Sequence, residues 1–398
     1  MSFSVLMFQL LLASLLLRVL WLDQPDGQTI FDENYYVNAA RIVLHVPVES
    51  GQPYAGAPAG LDPNTEHPPL GKLLIAGSMW LFGDNPYGWR IPAVVFGTAT
   101  IGLIAGCVLA AGGSSAAALT AAFLVAFDNL AFVHSRLGTL DVFVLAFSVL
   151  CIFCYLRRWP LAAGAALGLA GLVKIHGLWL ALAIIGLEGY LIWRDGEPRQ
   201  LAARSLAKTG AAALVAFGGG LLILDRFFTT YAWPWQHLQR IFGYGLNLKA
   251  GAHPGQFSYP WDWLLNQQQM PYYHLDRFIS ANGQVLRQIP EMSFTGAMNP
   301  YLIFLAPIAI ASAAYIAWKT RDRLAALAVC WMIATYLPFY ALAAAGRVSY
   351  IFYFLPTVPA VALAIGLLLQ RLPLAVRCAY LAAYLLGFAS LFPFRVLP

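Results

Sequence analysis

Hydrophobic runs dominate the chain. Short polar segments separate most of them, and two polar stretches are much longer. A run of roughly 20 mostly apolar residues can cross a bilayer as a helix, so the pattern predicts about eleven spans. They cover residues 3–22, 90–111, 113–132, 138–156, 160–174, 176–193, 204–226, 300–318, 323–344, 348–370 and 374–394. Lys174 and His176 interrupt the fifth and sixth runs, which are therefore the weakest.

The composition supports this interpretation. Of the 398 residues, 60% are hydrophobic and only 11% are charged, whereas soluble domains carry about 25% charged residues. We therefore expect an all-α polytopic membrane protein in which residues 1–398 form a single membrane domain. A dinucleotide-binding fingerprint and a P-loop are both missing from the sequence, so nothing in it is typical of a site for a nucleotide sugar or ATP.

The basic residues indicate how the chain is oriented. Short loops on one side of the predicted membrane hold Arg157, Arg158, Arg194, Arg199, Arg204, Lys319, Arg321, Arg323, Arg371 and Arg377. The positive-inside bias assigns such loops to the cytoplasm. The N-terminus is then cytoplasmic, and the two long loops, 23–89 and 227–299, face outward.

The first external loop contains two predicted helices. One runs from near Asp32 to His45, and the other follows Pro68-Pro69 and ends near Phe82, because proline favours the first turn of a helix. The second helix is strongly apolar and is expected near the membrane interface. The second external loop is rich in aromatic residues, which predicts either an aromatic belt at the headgroups or a wall for a sugar or an acceptor chain.

Two adjacent acids, Asp32 and Glu33, follow the first span. A carboxylate can accept the proton of an attacking hydroxyl. The alternative is that Asp32 only caps the helix that begins beside it.

Several cations and histidines are predicted at the same outer face. His67 and Lys72 flank a rigid turn into a helix, an arrangement that favours anions such as phosphate or serves as a structural turn. Arg136 and Asp141 lie at the outer end of the third and fourth spans, where ionisable groups are either functional or paired with each other. Lys174, with His176 beside it, could bind a lipid phosphate or extend its ammonium group to the surface.

Arg347, Tyr350 and Tyr353 lie at the outer junction of the ninth and tenth spans. Arg347 is either an ordinary flanking charge or part of the same site. Together these residues suit a phosphate-bearing lipid and a general base. No cluster of acids and histidines has the spacing of metal ligands, although Asp32, Glu33 and His67 could meet in space. The sequence therefore predicts no metal site, although it does not exclude a bound divalent ion.

The order of these motifs resembles the protein O-mannosyltransferase family of the GT-C superfamily, along nearly the whole chain. The matching segments are Phe31-Asp32-Glu33, His67-Pro68-Pro69-Leu70-Gly71-Lys72, Ser135-Arg136-Leu137, Leu140-Asp141, Lys174, His253-Pro254, Tyr259, Trp261-x-Trp263, Asn299-Pro300 and Tyr353-x-Leu355-Pro356. The second external loop is too short for the β-trefoil domain of the eukaryotic enzymes, and in this respect the chain resembles the bacterial members.

The resemblance implies a GT-C fold and an inverting transfer of mannose from a polyprenyl-phosphate donor to Ser/Thr hydroxyls of translocated proteins. It implies that Asp32 is the catalytic aspartate, with the acidic residue Glu33 as its neighbour. It also implies that Arg136 and Lys174 hold the donor phosphate. Lys72 and Arg347 are further candidates for the phosphate. His67, Asp141, His176, Tyr350, Tyr353, His253 and Trp261 are candidates for supporting roles.

The setting expected from this resemblance is the outer face of a bacterial plasma membrane. Two other interpretations remain open. In the first, the acceptor is a lipid or a glycan, as it is in related bacterial GT-C enzymes. A transporter or flippase would instead carry ionisable residues and broken helices at mid-membrane.

Overall fold

Helices occupy every hydrophobic run that is predicted to cross the membrane. The computed structural model describes residues 2–196, 198–249, 257–281 and 284–393. The helices before the second long loop are α1 (Phe3–Val19), α2 (Glu33–Val43), α3 (Leu70–Phe82), α4 (Pro86–Ala110), α5 (Ser115–Ala126), α6 (Asn129–His134), α7 (Asp141–Leu156), α8 (Pro160–Val173), α9 (Leu180–Asp195), α10 (Arg199–Leu214) and α11 (Gly220–Phe228). A 3-10 turn, Ile175–Trp179, precedes α9, and a π-helical segment, Val215–Gly219, joins α10 to α11.

The second long loop and the C-terminal part contain the remaining elements. These are α12 (Pro234–Asn247), α13 (Pro260–Trp263), β1 (Met270–Ala281), β2 (Gln284–Gly296), α14 (Pro300–Thr320), α15 (Arg323–Tyr336), α16 (Pro338–Ala344), α17 (Val358–Leu369) and α18 (Leu374–Ser390). A 3-10 segment, Ile351–Thr357, leads directly into α17.

Six helical segments of the described chain are long and apolar enough to cross a membrane alone. They are Pro86–Ala110, Ile175–Arg194, Arg199–Phe228, Pro300–Thr320, Arg323–Ala344 and Ile351–Leu369. The other five predicted spans form apolar helices of 12 to 17 residues: α1, α5, α7, α8 and α18. The helical membrane fold is therefore confirmed, and the number of eleven spans stays a prediction.

Small residues let several of these helices approach closely. A Cβ at Gly164 of α8 would meet the backbone oxygen of Thr209 in α10, and a Cβ at Gly366 of α17 would lie 2.9 Å from the backbone oxygen of Ala117 in α5. Close backbone approach at small residues is the usual basis of helix packing in membranes. Helix α17 is almost entirely buried among α5, α14 and α15, so it forms the centre of the bundle.

The two helices predicted in the first long loop, α2 and α3, are both present. Their apolar faces pack together with the first turns of α4 and the beginning of α7 in a small core that includes Val37, Ile75, Met79 and Trp89. A buried ion pair adds to this core, because Arg90 of α4 donates to both carboxylate oxygens of Glu33 at 2.7 and 2.8 Å. The first loop is thus fixed rigidly on the ends of the membrane helices.

The second long loop contains a β-hairpin, so the all-α prediction is wrong for this segment. Strands β1 and β2 pair antiparallel from Met270 opposite Gly296 to Ala281 opposite Gln284. The end of β2 alternates polar with apolar residues from Glu291 to Thr295, a pattern that favours strands, and both strands contain aromatic or β-branched residues. Neither interpretation of the loop's aromatic residues, as a belt at the headgroups or as a wall for a substrate, considered strands.

Candidate active site

One cavity of about 740 Å³ lies where the two long loops meet the ends of the membrane helices. Seven of the residues singled out from the sequence line it: Asp32, His67, Lys174, His176, Arg347, Tyr350 and Tyr353. They come from α2, the loop before α3, the end of α8 and the segment before α17, so the fold gathers residues that lie more than 300 positions apart in the chain.

Asp32 lies at the N-terminal end of α2 and faces this cavity. Its backbone is already helical, at φ −66° and ψ −11°, and its side chain makes no capping hydrogen bond to the helix. The Tyr36 hydroxyl donates to its Oδ2 at 3.4 Å instead. The alternative that Asp32 only caps the helix is therefore wrong.

Burial raises the pKa of Asp32 to about 6, with nearby Lys174 acting in the opposite direction. A carboxylate with such a pKa is ionised at neutral pH and is a stronger base than an ordinary aspartate. Asp32 is thus chemically suited to remove a proton from a hydroxyl.

Lys174 lies at the C-terminal end of α8 and is paired with Asp141, the first residue of α7. Its Nζ is 2.9 Å from each carboxylate oxygen of Asp141. The ammonium group also lies 5.8 Å from the centre of the Tyr36 ring and 5.4 Å from that of Phe352. The alternative pairing of Asp141 with Arg136 is therefore wrong, because Asp141 is occupied by Lys174.

Arg347 is the second cation on the cavity wall. Its Nε donates to the backbone oxygen of Gly245 at 2.6 Å, and its guanidinium stacks on Tyr353 at 5.4 Å. Within the described part of the chain it forms no ion pair with a carboxylate. Its positive charge is therefore not neutralised by a neighbour, in contrast to that of Lys174.

Two histidines complete the polar part of the wall. Burial lowers the pKa of His67 well below its usual value, and Lys174 and Lys72 act in the same direction. His67 is consequently neutral. The Nε2 of His176 is buried and has no hydrogen-bond partner among the described residues, while its ring packs against Tyr353.

Five of the predicted site residues that the structure describes do not line the cavity: Glu33, Arg136, Lys72, Asp141 and Trp261. Glu33 is fully buried and binds Arg90, and the Gly138 amide donates to its Oε1 at 2.7 Å. Arg136 donates to the backbone oxygens of Leu17, Leu20 and Trp21, and so satisfies carbonyl groups that the end of α1 leaves unpaired.

Lys72 is fully buried in an ion pair with Asp62 at 2.6 Å. Its Nζ also donates to the backbone oxygens of Asn64 and His67. Lys72 therefore orders the loop that presents His67, and neither it nor Arg136 is positioned to meet an anion in the cavity. Trp261 lies outside the cavity lining and stacks on Tyr259. His253 lies outside the described residues.

Sequence reasoning missed several residues of the wall. They include Tyr36, Tyr54, Glu66 and Phe352. Glu66 precedes the recognised His67 segment, so adjacency could have suggested it. Tyr244 and Tyr272, two of the aromatic residues of the second long loop, also line the cavity. No group of three His, Cys, Asp or Glu side chains in the described residues has an arrangement suited to a metal ion.

Comparison with known proteins shows which sequences and folds this chain is similar to. The family model described as dolichyl-phosphate-mannose-protein mannosyltransferase matches residues 66–220. A polyprenol-phosphate-mannose–protein mannosyltransferase of Mycolicibacterium smegmatis is 26% identical, over 94% of this chain and 86% of the relative.

Two solved structures share the fold. The Saccharomyces cerevisiae protein O-mannosyltransferase Pmt1-Pmt2 complex, bound to the sugar donor, aligns with a TM-score of 0.66 and 12% identity over 99% of this chain and 90% of that one. ArnT from Cupriavidus metallidurans in the apo state aligns with a TM-score of 0.63 and 18% identity, over 96% of this chain and 62% of that one.

The helical membrane fold is shared with these two GT-C membrane proteins, and the named relatives place the chain among glycosyltransferases. In sequence, the chain is similar to the protein O-mannosyltransferase family, over residues 66–220 for the family model and over 94% of the chain for the mycobacterial relative.

Proposed function

We propose that this enzyme transfers mannose from a polyprenyl-phosphate carrier to Ser or Thr hydroxyls of polypeptides, with inversion at the anomeric carbon. The name of the mycobacterial relative supports the donor and the class of acceptor. The ArnT fold neighbour has also been solved with undecaprenyl phosphate bound, which supports a lipid phosphate as ligand. The reaction occurs at the periplasmic face of a bacterial plasma membrane, the side that the positive-inside bias assigns to both long loops.

One observation carries the proposal. Asp32, with a pKa raised to about 6 by burial, shares a cavity with Lys174 and Arg347. A base and two cations are the parts that displacement of a phosphate from a sugar requires. A glycosidase would need a second carboxylate as general acid, whereas a phosphate is already a good leaving group. The other carboxylate of the wall, Glu66, is paired with Arg240 at 2.9 Å.

In the proposed step, Asp32 accepts the proton of the acceptor hydroxyl as the hydroxyl oxygen attacks the anomeric carbon. The new carbon–oxygen bond forms on the face opposite the phosphate. The bond from the anomeric carbon to the phosphate oxygen breaks at the same time, and the electron pair leaves with the polyprenyl phosphate. The Tyr36 hydroxyl, 3.4 Å from Asp32 Oδ2, holds the carboxylate in orientation.

The cations act on the leaving phosphate. Arg347 supplies positive charge that no neighbouring carboxylate of the described chain neutralises, and its planar guanidinium can donate two parallel hydrogen bonds to a phosphate. Lys174 uses two of its three ammonium hydrogens on Asp141, which leaves the third for the substrate. Positive groups fixed beside the developing negative charge stabilise the transition state.

Aromatic residues form much of the remaining wall, including Tyr35, Tyr54, Tyr244 and Phe242. Such rings offer flat apolar faces to a sugar and to the first isoprenoid units, and their hydroxyls can bond to sugar hydroxyls. Holding the donor in line with the acceptor contributes to the rate by itself.

The test is a transfer assay with purified protein in detergent or lipid. Radiolabelled polyprenyl-phosphate-mannose and a Ser/Thr-rich peptide are the substrates, and the same peptide with alanine at those positions is the control. Asp32→Asn is expected to lower kcat by about 10²–10⁴-fold. Asp276→Asn, which alters a partly exposed pair with His274 in the hairpin, should leave the rate unchanged.

Label in the Ser/Thr peptide that depends on Asp32 supports the proposal. Donor consumption without labelled peptide points to a lipid or glycan acceptor and overturns the assignment of a protein acceptor. Full turnover by a well-folded Asp32→Asn variant overturns the assignment of the base.

A further inference from the structure

Phe31, the residue immediately before Asp32, has an unusual backbone conformation. Its φ is +53°, in the left-handed region that residues with a side chain rarely adopt. Such a conformation persists only where the surroundings enforce it, and it is concentrated at functional sites. The position of Asp32 therefore depends on whatever holds Phe31.

Tyr272, near the beginning of β1, holds the Phe31 ring. The two rings are stacked, with centroids 3.9 Å apart and planes inclined by only 16°. Phe352, from the segment before α17, closes the other side in an edge contact at 5.6 Å. Phe31 is thus clamped between the second long loop and the helical bundle.

The Tyr272 ring is itself fixed at two points. Its hydroxyl lies 2.9 Å from Nε2 of the buried His134, whose Nδ1 lies 3.1 Å from Thr139 Oγ1. On its other side, Gly296 of β2 approaches so closely that a Cβ there would overlap the ring and hydroxyl of Tyr272. A glycine is needed at this place in the hairpin because the tyrosine occupies the space.

We infer that Tyr272 is a positioning residue for catalysis: by stacking on Phe31, the base of the hairpin fixes the Asp32 carboxylate in the cavity. This inference rests on the proposed function, in which Asp32 is the base. It makes the second long loop part of the catalytic apparatus, in addition to any contact that the loop makes with substrates.

The inference has a signature that a merely structural role would lack. Burial is the main reason that the pKa of Asp32 is raised, and the Phe31–Tyr272 stack is part of the surroundings that exclude water from it. The charged and titratable groups around Asp32 are Lys174 at the end of α8, Asp141 at the start of α7, Tyr36 on α2, Tyr244 on α12, Tyr350 before α17 and Tyr272 itself. Burial raises the pKa of Tyr272 well above its usual value, so this hydroxyl carries no charge at neutral pH and its removal changes no charge near Asp32.

The experiment compares Tyr272→Leu with Tyr272→Phe in the peptide transfer assay, over a range of pH. Loss of the ring in Tyr272→Leu is expected to lower kcat by about tenfold or more, because a small displacement of a catalytic group is costly. The KM for the donor should change little. The acidic limb of kcat/KM should also move to lower pH by about one unit, because water reaches Asp32. Tyr272→Phe keeps the stack and should retain most of kcat and the wild-type limb.

Four further variants sharpen the test. Phe31→Leu should reproduce the effect of Tyr272→Leu, and the double variant should be no worse than either single one, because both remove the same contact. Gly296→Ala should displace the tyrosine and lower kcat in the same way. Gly77→Ala, at a helical glycine with no atom within 4 Å of the added Cβ, is the matched control and should be neutral.

Additive losses in the double variant, or an unchanged pH limb in a folded Tyr272→Leu protein, would overturn the inference. So would a Tyr272→Phe variant as impaired as Tyr272→Leu, since the hydroxyl and not the stack would then matter. These outcomes are distinct from failure of the proposed function: that failure appears as an active Asp32→Asn variant, whereas an inactive Asp32→Asn with a fully active Tyr272→Leu refutes only the positioning role.

Discussion

Lys174 contacts both carboxylate oxygens of Asp141 at 2.9 Å, and this ion pair lies beside Asp32. The two partners act on Asp32 in opposite directions, since Lys174 lowers its pKa and Asp141 raises it. The pair therefore supplies an ammonium group to the cavity while limiting how far that group acidifies the base. A lone lysine would favour the ionised carboxylate more strongly and make it a weaker base.

The pH dependence of transfer should show the opposite effects of Lys174 and Asp141 on the pKa of Asp32. A base works only when it is unprotonated, so kcat/KM of the wild-type enzyme should fall below about pH 6, the pKa of Asp32. Lys174→Met removes the group that lowers this pKa, so the acidic limb of the kcat/KM profile should move to higher pH. Asp141→Asn removes a group that raises it, so the limb should move to lower pH. The measurement is the transfer rate against pH for all three proteins, and shifts of the two variants in the same direction would contradict this account.

Glu33 is expected to affect stability much more than its neighbour Asp32 does. It is fully buried and forms a bidentate ion pair with Arg90. Removing one partner of a buried ion pair costs about 3–5 kcal/mol. Glu33→Gln should therefore lower the melting temperature of the purified protein clearly. The control is Asp276→Asn, in the partly exposed pair with His274 in the hairpin, because ion pairs near the surface contribute about 0–1 kcal/mol. An equal melting temperature for Glu33→Gln and wild type would show that the pair is dispensable.

The helices could be predicted from the sequence because each has to satisfy its own backbone in lipid. The motifs around Asp32, His67 and Lys174 also led to the cavity wall. The roles of Lys72 and Arg136 could not be predicted in this way. Each is a conspicuous cation near the same membrane surface, but its partners are backbone oxygens and, for Lys72, the carboxylate of Asp62. Charge and order along the chain do not reveal such local partners.

The hairpin makes a second contact that the sequence does not indicate. Tyr272 reaches Phe31 only because β1 folds back over the cavity, and the two residues are separated by about 240 positions of mostly membrane helix. Nothing in the local pattern around either residue indicates the other. Some of the predicted acids and cations therefore lie on the cavity wall, whereas the contacts that hold them there required the fold.

Packing between α8 and α10 should depend on Gly164. A Cβ at this position would overlap the backbone oxygen of Thr209, and overpacking of this kind costs about 1–3 kcal/mol. Gly164→Ala should lower the melting temperature in detergent. Gly210→Ala, on α10 with no atom within 4 Å of the new Cβ, should be neutral or slightly stabilising, because alanine is the better helix former. If both variants melt alike, close approach of the two helices does not contribute to stability.

The two arginines predicted to hold the donor phosphate should separate into different roles. Arg347 lines the cavity and forms no ion pair within the described chain, so Arg347→Met should raise the KM for polyprenyl-phosphate-mannose by about 10-fold or more, as expected for loss of a charge-assisted bond to phosphate. Arg347→Lys keeps the positive charge but lacks the planar guanidinium, so its KM for the donor should be intermediate. The protein should remain folded in both cases, because the strongest hydrogen bond of Arg347 is a single one to the backbone oxygen of Gly245.

Arg136→Met serves as the comparison. Arg136 binds the backbone oxygens at the end of α1 and does not line the cavity, so its loss leaves buried carbonyl groups without partners. We expect a lower melting temperature and an unchanged donor KM in the fraction that stays folded. Measuring KM and melting temperature on the same preparations distinguishes the two roles. A raised donor KM for Arg136→Met, with its stability intact, would mean that the phosphate reaches the end of α1 and that Arg136, buried as it is, moves to meet it.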